Sequence, residues 1–88
     1  VRLYKNRYYS HILREHPEFT RDFPLPTQEI ERALTQATRT YAGQGKTRVY
    51  VGPEVEAKSD AGRCRVRVVV NVQEKDGWVV TAYPEIVL

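Results

Sequence analysis

The sequence predicts an α+β domain: two N-terminal helices packed on one face of a twisted antiparallel sheet of about four strands. Three observations predict it. Apolar residues recur at helical spacing in the first half of the chain and alternate in the second. The change of period falls at the glycine loop Gly43-Gln44-Gly45. Beyond it, Arg63 to Gln73 carries valines on one side and mostly arginines on the other, so one face seeks cover and the other seeks water.

Each element follows from local chemistry. Val1-Arg2-Leu3-Tyr4 alternates apolar and polar, as a short edge strand does, and Asn6 is an N-cap residue for a first helix over about 6–16. Its apolar stripe is Tyr9, Ile12, Leu13 and His16, and Pro17 forces His16 out of helical geometry. Pro24 and Pro26 mark a connector. Thr27 then caps a second helix over about 27–42, with Glu29 and Glu31 at its positive end, Ile30, Ala33, Leu34, Ala37 and Tyr41 along one side, and Gly43 as its stop.

The sheet spans about 47–83. Thr47 to Val51 sets Val49 and Val51 against Arg48 and Tyr50, and Gly52-Pro53 interrupts before Glu54 to Lys58 resumes. A four-residue loop, Ser59-Asp60-Ala61-Gly62, opposes Glu56 to Arg65 and Glu54 to Arg67 as cross-strand charge pairs. In the long strand Cys64, Val66, Val68, Val70 and Val72 form one face. A three-residue loop, Lys75-Asp76-Gly77 with Gly77 left-handed, pairs Val70 with Ala82 and Asn71 with Thr81. This register adds Trp78 and Val80 to the valine face and gathers Arg65, Arg67, Asn71, Thr81 and Tyr83 on the polar one.

Composition bounds the function. Eighty-eight residues at 41% hydrophobic make one domain with one small core. The fourteen Lys and Arg, ten of them Arg, exceed the eleven Asp and Glu, which suits a polyanionic partner, because guanidinium grips phosphate bidentately. Cys64 is the single cysteine, so no disulfide closes within the chain and no cysteine cluster binds zinc; its apolar strand position is that of a buried hydrophobe. No apolar run has membrane-span length, and no Walker or dinucleotide loop, Cys-x-x-Cys or metal-like His/carboxylate spacing occurs. Ser10 and His11 are helical neighbours that do not face each other, which argues against a serine nucleophile.

Both histidines lie in the first helical segment. His11 shares a side with Arg7, Arg14 and Glu15, away from the packing stripe, and an accessible histidine can exchange a proton with a ribose 2′-hydroxyl or a leaving 5′-oxygen. On an ideal helix His16 lies about 140° from it in azimuth, so only one can serve a given spot while the other packs or caps. Thr81 and Tyr83 can donate to phosphoryl oxygens and Tyr83 can stack a base; Lys46 and Arg48, after the glycine loop, are phosphate-contact candidates with Arg14 and Asn71.

The short strand, the His-Ile-Leu segment running into His-Pro-Glu, the second helix, the sided sheet and the closing Val-Thr-Ala-Tyr-Pro together resemble the barnase, EndoU, colicin and RelE-like superfamily of small metal-independent RNases, widespread as bacterial toxin domains. The resemblance implies cleavage of RNA, transfer RNA foremost, by 2′-hydroxyl attack giving a 2′,3′-cyclic phosphate, without metal or other cofactor. By similarity His11 is the catalytic histidine, with His16 as a second match. Arg65 or Arg67 is the charge-stabilising cation, and Thr81 with Tyr83 forms the terminal polar pair. It further implies a cognate immunity or antitoxin protein, no membrane role, and action in the bacterial cytoplasm, with delivery as the C-terminal part of a secreted or surface toxin. Two alternatives stand beside it. One is a non-catalytic RNA- or protein-binding module on the same fold; the other is the RNase A-like group of bacterial toxins, whose longer helical middle is missing here.

Overall fold

The computed structural model describes residues 1–58 and 62–88. The chain folds as α+β, with its helices at the N-terminus and a four-stranded antiparallel sheet in the order β1-β2-β3-β4. Helix α1 is continuous: α-helical turns at Lys5–Arg7 and Leu13–Glu15 flank a π-helical stretch at Tyr8–Ile12. Helices α2 and α3 are Glu18–Asp22 and Pro26–Thr35. The strands are β1 Arg39–Ala42, β2 Thr47–Glu56, β3 Arg63–Asn71 and β4 Trp78–Ile86.

The core lies between the helices and the valine face, where Val66, Val68, Val70, Val79 and Ala82 meet Tyr8, Ile12, Phe19, Phe23, Ile30 and Ala33. Contact with α3 is close at Gly52, where an added Cβ would stand 3.0 Å from the Ala33 Cβ. No helix among the described residues is long and apolar enough to cross a membrane.

Several expectations are corrected. The Leu13 N–H reaches back five residues to the Tyr8 carbonyl, and this widened turn changes the helical phase. Tyr8 therefore enters the core at 8% exposure, while Tyr9, the expected stripe residue, is 62% exposed. The expected first strand is a single parallel bridge, Arg2 to Trp78. Helix α2 was not anticipated, although Phe19 and Phe23 anchor it in the core.

Helix α3 starts with Pro26 at its first turn rather than with a Thr27 cap, and it ends at Thr35 rather than near 42. Residues 39–42 pair instead with β2, matching Arg39 to Val51 and Tyr41 to Val49. The β-branched Thr38 and Thr40 favour extension here, and the Thr38 N–H closes on the Val51 carbonyl at 2.8 Å.

Both hairpin registers shift. Glu56 opposes Arg63 and Glu54 opposes Arg65, while the irregularity at Gly52-Pro53 leaves Arg67 opposite Val51; most of the expected loop, residues 59–61, lies outside the described residues. In β4 a bulge at Val80 separates the Val70–Val79 pair from the Val69–Thr81 pair. Val79 thereby joins the valine face, fully buried, instead of Trp78 and Val80. The left-handed Gly77 is as expected, at φ 68°.

Candidate active site on the open face of the sheet

The register places Arg65, Arg67, Thr81 and Tyr83 on the face opposite the helices, with Tyr83 directly across from Arg67 and Glu85 across from Arg65. Arg39 and Tyr41 join them from β1, because their partners Val51 and Val49 occupy the same face. Val51 is 2% exposed although no helix covers it; the aliphatic stems of long side chains can cover an apolar floor in this way.

His16 reaches this face from the end of α1. Its backbone leaves helical geometry, at φ −130° and ψ 68°, as the following Pro17 requires. The imidazole then stacks on Tyr83 with centroids 5.0 Å apart and planes 28° from parallel. On its other side Nδ1 lies 3.3 Å from Glu18 Oε1. A proton held at Nδ1 toward that carboxylate leaves Nε2 as the nitrogen for chemistry.

Arg67 is the centre of the charge network. Its Nη2 donates to Glu85 Oε1 at 3.3 Å, its Nη1 donates to the Tyr41 hydroxyl, and its guanidinium carbon lies 5.8 Å from the Tyr41 ring centroid. Burial opposes the charge, but the Glu85 hydrogen bond and carboxylate outweigh it, with the Tyr41 and Tyr83 hydroxyls adding, so the pKa is raised and the group stays cationic. Arg67 Nε is ion-paired with Glu85 Oε2 at 2.5 Å, whereas Thr81 Oγ1 is buried without a hydrogen-bond partner among the described residues. The Thr81 hydroxyl, on the same strand face as Tyr83, is thus one buried polar group that the packing around it does not satisfy.

Arg65 is fixed differently. Its Nη1 donates to Thr38 Oγ1 and to the Gly52 carbonyl, both at 3.1 Å, while Nη2 stands 3.6 Å from Glu54 Oε1. Glu54 also holds Arg63 at 3.2 Å. The expected cross-strand neutralisation thus reaches Arg65, whereas Arg67 takes its carboxylate from Glu85.

The remaining candidates are dispersed. His11 is half-buried in the π-helical stretch, and no hydrogen bond, ion pair or ring contact among the described residues joins it to Tyr83 or to the arginines. Arg14 is exposed in the last turn of α1 and Lys46 is exposed in the loop before β2. Arg48 pairs with Val70 and so lies on the helix-side face, where its Nη2 donates to Thr40 Oγ1 at 2.9 Å. Asn71 shares the open face, but its Oδ1 accepts the Gln73 N–H at 2.9 Å, and four residues of strand set it about 13 Å from Arg67.

Glu85, Tyr41 and Arg39 were missed by sequence reasoning. The alternation Thr81, Tyr83, Glu85 was a signal for the first. It runs through Pro84, which an edge strand tolerates because no ladder partner needs the missing N–H. Among the described residues no group of three or more His, Cys, Asp and Glu side chains is arranged to hold a metal ion. Comparison with known protein families, curated proteins and solved structures yields no match.

Proposed function

We propose that the chain is a metal-independent endoribonuclease whose centre is His16, Arg67, Tyr83 and Glu85. The observation that carries this reading is the stack of His16 on Tyr83, whose cross-strand neighbour is Arg67. It joins a proton carrier, a permanent cation and a hydroxyl donor at one accessible face, which is the set needed for transfer of a phosphodiester to its own 2′-hydroxyl. Glu85 accepts the 2′-hydroxyl proton as the oxygen attacks phosphorus. The phosphorane charge falls on the Arg67 guanidinium, and Tyr83 orients the phosphate. His16, acting as the imidazolium, gives its Nε2 proton to the departing 5′-oxygen, leaving a neutral imidazole and a 2′,3′-cyclic phosphate.

The broader setting is proposed on the sequence resemblance alone: a bacterial toxin domain of the barnase, EndoU, colicin and RelE-like superfamily that acts on RNA, transfer RNA foremost, in the cytoplasm of a target bacterium. A cognate immunity protein would cover the arginine face. The test is the chemistry of the product ends: purified transfer RNA incubated with the domain yields 3′ fragments with a free 5′-hydroxyl and 5′ fragments with a cyclic phosphate. Fragments bearing a 5′-phosphate would overturn the mechanism. A non-catalytic module predicts no new ends at all.

A further inference from the structure

A cleft of about 270 Å³ opens beside the proposed centre, lined by Thr38, Arg39, Val51, Arg65 and Arg67. Its lining holds three guanidinium groups, with Glu54 on Arg65 and Glu85 on Arg67 as the carboxylates that answer them. Arg39 has no carboxylate partner among the described residues. Its guanidinium carbon lies 5.4 Å from the centroid of the Tyr41 ring, against which Arg67 also rests at 5.8 Å. One aromatic ring thus bears two arginines.

The buried Val51 supplies the cleft with an apolar floor, which lowers the local dielectric and strengthens attraction for an anion. Arg65 is already held by Thr38 and the Gly52 carbonyl, so less side-chain entropy is lost when an anion docks. Its Cα stands about 7 Å from that of Arg67 along the strand, a step comparable to that between successive phosphates of an extended RNA strand.

We propose that this cleft is a second phosphate subsite. It takes the phosphodiester adjacent to the one at Arg67, with Arg39 as its free cation and Arg65 as its fixed one, so that the RNA backbone leaves Arg67 obliquely, along β3 toward Arg65 and across the sheet toward β1. The proposal rests on the ribonuclease reading for its substrate but not on turnover for its test.

A short fluorescent RNA with 2′-O-methyl groups throughout, which lacks the attacking hydroxyl, is titrated with protein at several salt concentrations in EDTA. Arg39→Ala, an exposed edge-strand change, weakens binding about tenfold at low salt and reduces the salt slope by about 0.7, the value of one single-strand phosphate contact. Arg32→Ala, on α3 at the other face, changes neither. An unchanged Kd and slope in Arg39→Ala, or no binding by the unaltered protein, overturns the subsite. Arg39-dependent binding by a protein that cleaves no RNA leaves the subsite standing and overturns the nuclease reading instead.

Discussion

The imidazole of His16 and the phenol of Tyr83 stack at 5.0 Å although they come from opposite ends of the chain. The stack fixes a ring that would otherwise rotate at the frayed end of a helix, and it does so beside Arg67. Tyr83→Ala removes that support, and cleavage is expected to fall about 100-fold, as a small misplacement of a reacting group can cause. Tyr83→Phe keeps the ring and loses about tenfold at most. Initial rates on one defined RNA check the difference.

Arg67→Lys retains a positive charge but loses the planar fork that meets Glu85 and Tyr41. If the guanidinium stabilises the phosphorane, kcat falls about 100-fold or more with a smaller change in KM. An equal rise in KM at constant kcat would reduce Arg67 to a binding residue.

Gly52 admits no side chain without movement, because an added Cβ meets Ala33 Cβ at 3.0 Å and Ala33 Cα at 3.1 Å. Gly52→Ala is expected to cost about 1–3 kcal/mol by overpacking α3 against β2. Urea denaturation measures it, and Ala33→Gly in the same chain recovers part of the loss if the clash is the cause.

Burial first, and then the nearby Asp22 carboxylate, push the Cys64 thiol above the ordinary range. Its folded-state pKa is raised, so above the ordinary thiol value of about 8.5 the unfolded chain loses a proton that the folded chain keeps. The stabilisation is complete below that pH and is lost as pH rises toward the raised value. Denaturation midpoints measured from pH 8 upward are expected to fall less steeply in Cys64→Val than in the parent chain.

The fold class and the polar face were legible because period and sidedness are local. Alternation in β3 assigned Arg65 and Arg67 to one face, and Thr81 and Tyr83 joined them even though the hairpin registers moved. Those shifts came from Gly52-Pro53 and from the bulge at Val80, whose carbonyl is satisfied at 2.7 Å by Arg7 Nε from α1, a tertiary contact with no local signature. Edge strand β1 was hidden for a related reason. Ala37 and Tyr41 continue the helical spacing of α3, and pairing with the open edge of β2 draws residues 39–42 into extension. The choice between histidines also turned on tertiary structure, since an ideal helix gave His16 a core-facing azimuth and the turn at Pro17 redirects it to Tyr83.

The most direct measurement is RNA cleavage in excess EDTA, read on a denaturing gel, by the parent chain, His16→Ala and His11→Ala. The account predicts discrete products from the parent chain, a loss of about 100-fold or more in His16→Ala, and cleavage retained in His11→Ala. Full activity in His16→Ala, or no cleavage by the folded parent chain, would contradict it.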